Sequence, residues 1–367
     1  MYEVHGGDVW LIGNPNNIID FSSNTNPLGP PSIIRDYLEE AIKEGYYRYY
    51  PEISYDKLRA SIIEFVKETY REEISYNHVE VFNGASECLY KVFEQIKPRK
   101  TLLLRPSYST YWHLAKLYSR EIINIDYTFR DSNIIVNYDL LFNFVEKLSR
   151  AKDRILAVIC NPNNPTGTLI KIKAIEEMLE ALENGYILVD ESFIDFVEYD
   201  SMIRLLKNYN NLIIVKSLTK IFATPGLRMG FCIAEPKLVT KLALVSPPWR
   251  IGTITMYVYS KLLANIGYVR KYIANTRKYV NEERPLISHK LSKLNLKIYN
   301  SETHFMLISL NGLIKSYELK DKLLKKCKVL IRDASTIPGL NEDFIRISLR
   351  SHEENKILIN CLKEVLP

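Results

Sequence analysis

The sequence predicts an α/β fold built on an open, mostly parallel sheet, and three observations carry that reading. The first is a set of short apolar runs, Ile155–Cys160, Tyr186-Ile187-Leu188-Val189 and Leu212-Ile213-Ile214-Val215. They lack the polar alternation of a half-exposed strand and fit strands buried on both faces. The second is the helical spacing of segments between such runs. The third is that polar residues able to do chemistry stand directly behind the runs, where parallel sheets collect their ligands. With 367 residues and 47% hydrophobic content, the chain is long enough for a large core and for two domains or one large one.

In chain order, Met1-Tyr2-Glu3-Val4-His5-Gly6-Gly7-Asp8 is too glycine-rich for a helix start, and Asp20-Phe21-Ser22-Ser23-Asn24-Thr25-Asn26-Pro27 is a polar loop. Together they read as an extended arm lying over something, with donors such as His5 available to an anion. A frayed terminus and ordinary turns are the plainer alternatives. Helices are expected from about residue 32 to 44 and from Leu58 onward. The tyrosines of Tyr46-Tyr47-Arg48-Tyr49-Tyr50-Pro51 suggest an interface or pocket rim, although core packing is the default for any one of them. Tyr50 is held extended by the proline after it.

A strand at Val79-Glu80-Val81-Phe82 runs through Asn83-Gly84-Ala85-Ser86 into a helix, whose free N–H groups and dipole suit a phosphate. Such turns are common in α/β proteins. Thr101-Leu102-Leu103-Leu104 precedes Tyr108, a ring able to stack on a flat cofactor. The run ending at Cys160 leads into Asn161-Pro162-Asn163-Asn164-Pro165-Thr166-Gly167, with amides that can donate to a ring oxygen. Another run delivers Asp190, which needs a cation if buried. The last leads to Ser217-Leu218-Thr219-Lys220, with Arg228 eight residues on. That pattern suits an aldehyde cofactor carrying a phosphate: the lysine amine forms a Schiff base while Ser217, Thr219 and Arg228 hold the phosphate. Alone, this stretch fits a solvated lysine beside a turn equally well. Gly84, Tyr108, Asn164, Asp190 and Lys220 behind five strands tip the balance toward a site.

The second half reads more coarsely. Pro247-Pro248-Trp249-Arg250 marks a boundary, a long helix is expected over about 255–294, and Val329-Leu330-Ile331-Arg332-Asp333 and Phe344-Ile345-Arg346-Ile347-Ser348-Leu349-Arg350 alternate like strands. Arginines on strand faces are ordinarily solvated. The expected organisation is an arm over 1–35 belonging to a small domain, a large cofactor domain over 36–250, and an interdomain helix plus small C-terminal domain over 251–367. Forty-nine basic and 43 acidic residues leave a charge of +6 without a basic block, which suits a small anionic substrate and argues little for nucleic acid. Five cysteines, odd in number and never in a CxxC pair, fit buried thiols in a reducing cytoplasm. No apolar run approaches the about 18 residues of a membrane span, and the N-terminus does not resemble a signal peptide. No metal site is expected.

NPNNPTG, S-x-T-K and G-x-R-x-G, in that order, make the chain resemble the fold-type I pyridoxal-phosphate enzymes of the aspartate-aminotransferase superfamily from His5 to the C-terminus. The resemblance implies a large domain with a mostly parallel seven-stranded sheet, a smaller α/β C-terminal domain, and pyridoxal 5'-phosphate on Lys220. It implies that Asp190 pairs with the ring nitrogen, Asn164 bonds the ring oxygen and Tyr108 stacks on the ring. Ala85, Ser86, Ser217, Thr219 and Arg228 would hold the phosphate, with Tyr50 reaching in from a second subunit of a homodimer. Arg346 matches the arginine that clamps a substrate carboxylate with its fork.

Within the superfamily, the HGG arm, the DFSSNTNPLG loop, RDASTIPGL and RISLRSHEEN resemble threonine-phosphate decarboxylases, which serve the cobalamin nucleotide loop. Histidinol-phosphate aminotransferases share nearly every other motif. They include an arginine like Arg332 that receives a substrate phosphate, and Phe193 stands where many of the aminotransferases carry a tyrosine. His5, Gly6, Ser23, Asn24, Asn164, Arg332, Arg346 and Arg350 are therefore the expected substrate contacts, and Lys220 the expected general acid. A pyridoxal-phosphate sensor fused to a DNA-binding module, or an inactive relic, is disfavoured because no such module is read in the sequence and both Lys220 and Asp190 are present.

Overall fold

Residues 5–150 and 153–367 are described by the structure, a computed structural model, and the first four residues of the expected arm lie outside them. The chain enters through β1 (Ile19–Asp20) and helices α1 (Ser32–Lys43) and α2 (Asp56–Tyr70). Strands and helices then alternate: β2 (Val79–Asn83), α3 (Gly84–Ile96), β3 (Lys100–Arg105), α4 (Thr110–Tyr118), β4 (Glu121–Asp126), a hairpin of β5 (Thr128–Arg130) and β6 (Asn133–Ile135), and α5 (Tyr138–Ser149). They continue as β7 (Ile155–Cys160), α6 (Ile172–Ala181), β8 (Tyr186–Asp190), β9 (Leu212–Ser217), the single turn α7 (Leu218–Ile221), β10 (Met229–Ala234) and α8 (Pro236–Leu244).

Seven of these strands form one sheet in the order β2-β10-β9-β8-β7-β3-β4. Its pairs from β9 through β4 are parallel, as expected, but β10 runs antiparallel to both β2 and β9. The cause is the connection: residues 218–228 are too few for the crossover that returns a chain in the same direction. β7 is buried at all six positions because both faces are covered. Leu156, Val158, Leu188, Ile213 and Val215 meet Leu89, Phe93, Trp112 and Leu238 of α3, α4 and α8. The alternate residues Ala157, Ile159, Ile187, Val189 and Ile214 turn to the opposite core with Phe65, Val145 and Met178. Each fully buried aliphatic side chain contributes about 1.5–3 kcal/mol, which makes the carboxyl edge of this sheet a stiff platform.

The long helix expected over about 255–294 is instead two, α9 (Thr253–Ala264) and α10 (Ile266–Ser292). Asn265 (φ −86°, ψ 60°) leaves helical geometry, and its N–H closes α9 on the carbonyls of Lys261 and Leu262. Asparagine favours such ends because its side chain competes with the helix for backbone partners. The chain continues through β11 (Lys297–Ile298), β12 (Phe305–Ser309), α11 (Ser316–Cys327), β13 (Val329–Leu330), β14 (Arg332–Asp333), β15 (Phe344–Ser348) and α12 (His352–Val365). An antiparallel sheet runs β11-β12-β15-β14, and β1 pairs in parallel with β13. The Ser348 N–H also donates to the Phe21 carbonyl at 2.9 Å. These bonds carry the loop after β1 to the arginine-bearing strands.

The reading of all five cysteines as free thiols is corrected. Cys327, ending α11, is bonded to Cys361 in α12, while Cys88, Cys160 and Cys232 are free and buried. The 34-residue separation hid the pair, and helix packing brings the two Cα atoms to 6.3 Å, within bonding range. Among the described residues no helix is long and apolar enough to cross a membrane.

Candidate active site

The carboxyl ends of β3, β7, β8 and β9 converge on one cavity, lined among others by Ala85, Ser86, Tyr108, Asn164, Asp190, Ser217, Thr219, Lys220 and Arg228. Two glycines let the chain close around its floor. Gly84, at φ +79°, opens α3, and a Cβ there would stand 2.6 Å from the Arg228 guanidinium. A Cβ on Gly230 would stand 2.4 Å from the Ala85 nitrogen, so β10 passes the helix N-terminus only as bare backbone. The Ser217 and Thr219 hydroxyls bond each other at 2.7 Å, which leaves one proton of the pair for a ligand.

Asp190 is 4% exposed. Its carboxylate accepts the Tyr111 hydroxyl at 2.7 Å, the Ser192 hydroxyl at 2.5 Å and the Ser192 N–H at 2.9 Å. Burial raises its pKa, and those bonds together with Lys220 pull it back. The Lys220 amine falls from 10.5 to about 8, first through burial and then through the cations Arg346 and Arg228, against the pull of Asp190. At pH 7 about a tenth of the amine is therefore neutral and nucleophilic, far more than at its ordinary value.

The opposite wall is cationic. Arg332 of β14 and Arg346 of β15 are direct cross-strand partners, 5% and 6% exposed, and both face the cavity. Like charges opposed on a sheet destabilise it. Burial and Arg332 push the Arg346 guanidinium down to about 9, so it remains charged at neutral pH. Arg346 donates to Asn164 Oδ1 at 2.5 Å and to the Ser22 carbonyl, and its buried Nε has no protein partner. Asn164 keeps its amide protons for another acceptor. Arg332 donates to Thr336 Oγ1 at 2.8 Å. Asn24 is 3% exposed with neither amide atom bonded, and orphaned polar atoms beside two arginines describe a place for an anion.

The arm lies over this wall: His5 and Gly6 line the cavity, and the His5 ring centroid is 5.4 Å from that of Tyr108. Ser23 also lines it, yet its hydroxyl donates to Asp20 Oδ2 at 2.6 Å. Phe193, without a hydroxyl, packs edge-on against Phe305 at 4.9 Å.

Sequence comparison adds to this geometry: the profile of the aminotransferase class I and II family matches residues 16–362. The chain belongs to that family. A family member from Caldanaerobacter subterraneus subsp. tengcongensis, provisionally named a threonine-phosphate decarboxylase, is 34% identical over 98% of this chain and 93% of its own. The adenosylcobalamin biosynthesis bifunctional protein CobDQ of Leptospira interrogans is 30% identical over 98% of this chain, which spans only 41% of that longer protein. Among solved structures, the histidinol-phosphate aminotransferase of Clostridium acetobutylicum superposes with a TM-score of 0.81 at 27% identity, covering 94% of this chain and 98% of its own.

Pyridoxal 5'-phosphate is the cofactor, and the residues present fit it. A lysine with a lowered pKa, a buried carboxylate held by the neutral donors of Tyr111 and Ser192, and an arginine beside an open helix N-terminus match its aldehyde, ring nitrogen and phosphate.

One expected substrate contact stands elsewhere. Arg350 is not among the residues lining the cavity and lies 3.6 Å from Glu354. β15 ends at Ser348, so the alternation that would have aimed Arg350 alongside Arg346 is lost as the chain turns into α12. Tyr50, expected to serve the site of a second subunit, is 77% exposed and stacked on Trp249 at 4.5 Å. Tyr111 and Asp20 were missed as contributors. Tyr111 had a signal, one helical turn beyond Tyr108 and so facing the same strand end.

Proposed function

We propose that the protein decarboxylates L-threonine O-3-phosphate to (R)-1-aminopropan-2-yl phosphate and CO2, supplying the cobalamin nucleotide loop. The paired arginines carry this reading. Threonine phosphate bears a carboxylate and a phosphate on adjacent carbons, and Arg346 and Arg332 offer two buried cations on adjacent strands. Histidinol phosphate bears one anion and would leave the second arginine to the 2-oxoglutarate that follows it, whereas threonine phosphate engages both at once.

In this reading Lys220 holds the cofactor and Asp190 keeps its ring nitrogen protonated. Asn164 meets the ring oxygen, Tyr108 covers the ring, and Ala85, Ser86, Ser217, Thr219 and Arg228 hold the phosphate, with Tyr50 contributed across a homodimer. The bound cofactor supplies an electron sink for the pair left on the substrate Cα when a bond there breaks. Arg346 fixes the carboxylate, while Arg332, His5 and the Asn24 amide fix the phosphate. Two anchors on one small molecule set the rotation about Cα, so that the carboxyl bond stands where it can break. Lys220, close to neutrality and enclosed, then delivers the proton to Cα.

The test is direct. Cofactor-loaded protein is given threonine O-phosphate alone, and separately histidinol phosphate with 2-oxoglutarate, while CO2 and glutamate are followed. CO2 without any keto acid is the expected result. Glutamate without CO2 would replace this reading with the histidine-pathway aminotransferase.

A further inference from the structure

We propose that Asp20 is a positioning residue that fastens the N-terminal arm over the site, acting through the Ser22 hydroxyl on the main chain of Gly7. The proposal rests on the reading of the cavity as a site for a small phosphorylated amine. Asp20 spends both carboxylate oxygens inside its own loop. Oδ1 accepts the Ser22 N–H at 2.8 Å, the Ser22 hydroxyl at 2.6 Å and the Ser23 N–H at 3.3 Å, and Oδ2 accepts the Ser23 hydroxyl at 2.6 Å. With its proton committed to Asp20, the Ser22 oxygen accepts the Gly7 N–H at 2.8 Å. Donation thus runs one way, from Gly7 to Ser22 to Asp20, and a carboxylate at its end strengthens each bond.

The loop that holds the arm also touches the reacting groups. The Ser22 carbonyl accepts from Arg346, and the Asn26 N–H donates to the Lys220 carbonyl at 3.0 Å. The arm sits so close that a Cβ on Gly6 would stand 2.0 Å from the Ser22 carbonyl oxygen. His5 can therefore rest beside Tyr108 only while the Ser22 segment keeps its shape. The Asp20 charge also favours the protonated forms of Arg346 and Lys220, so it balances the cationic wall from beneath. A second consequence concerns the substrate: both serine hydroxyls point their protons at Asp20. This wall then offers lone pairs, and the phosphate is left to Arg332, His5 and the Asn24 amide.

The experiment compares D20A, S22A and D20N with wild-type holoenzyme, using whichever of threonine O-phosphate and histidinol phosphate the wild type turns over. Arm release is read independently as chymotryptic cleavage after Trp10 and Leu11, which are 81% and 86% exposed. Losing one hydrogen bond to a charged group corresponds to about a ten-fold effect or more. D20A and S22A are expected to raise KM and the arm-cleavage rate at least about ten-fold, with kcat and the cofactor absorbance near wild type. D20N keeps an oxygen for the Ser22 bonds and is expected to stay within about three-fold. Unchanged KM and cleavage in S22A, or a D20N as defective as D20A, would overturn the proposal. If the wild type consumes neither substrate, the functional reading fails, and the cleavage rates still decide the role of Asp20.

Discussion

Replacing Lys220 with methionine in the cofactor-free protein is expected to stabilise it at neutral pH, by an amount that disappears in alkali. The folded amine titrates at about 8 against an ordinary 10.5, chiefly because of burial, with Arg346 and Arg228 adding to the effect. At about 1.4 kcal/mol per unit, the ammonium costs the fold at most about 3 kcal/mol, less where cavity water still reaches it. The direction comes from proton counting. Between about pH 8 and 10.5 the unfolded chain holds the lysine proton and the folded chain has released it, so wild-type stability rises with pH there. Below about pH 8 both states are protonated and the full penalty applies. Methionine keeps the length without the charge. Urea unfolding at pH 7 to 10.5 should therefore show K220M ahead by up to about 3 kcal/mol at pH 7, with the difference shrinking above pH 8. A difference independent of pH, or a variant weaker than wild type at pH 7, would refute the electrostatic argument.

Three further outcomes are expected. Arg346→Lys keeps the charge but loses the fork, and at about 1.5–3 kcal/mol per charged hydrogen bond kcat/KM should fall about ten- to 150-fold in steady-state assays. Tyr111→Phe removes one donor to the buried Asp190 carboxylate, which raises its pKa further. A cofactor Kd about ten-fold weaker should appear in absorbance titration. Cys327→Ser opens a bond joining residues 34 apart, and the chain-entropy relation assigns it about 4 kcal/mol. Calorimetry should show a midpoint lower by several degrees, matched by wild type in reductant.

The strands carrying the site were legible because burial on both faces leaves an uninterrupted apolar run, as in Ile155–Cys160. The polar residues behind those runs were legible for a related reason: in parallel strands chain order and spatial position coincide, so Asn164, Asp190 and Lys220 had to meet at one edge. β10 escaped that logic because its direction depends on how few residues separate it from β9, a matter of closure and not of apolar pattern. Arg350 stands apart from the cavity lining for a similar reason. Alternation is a property of a strand, and only the fold shows where β15 stops.

By itself, then, the sequence determined the α/β class, written in local patterns of burial, and the family, written in its motifs, and it named residues that the structure gathers around one cavity. Tertiary structure alone decided the Cys327–Cys361 bond, the facing of Arg332 and Arg346, and the line from Gly7 through Ser22 to Asp20. Each of these joins or orients groups by packing and register, and such distances have no counterpart in residue order. The charge state of Lys220 belongs with them, since an amine's proton affinity is set by the low-dielectric walls and cations that folding brings around it.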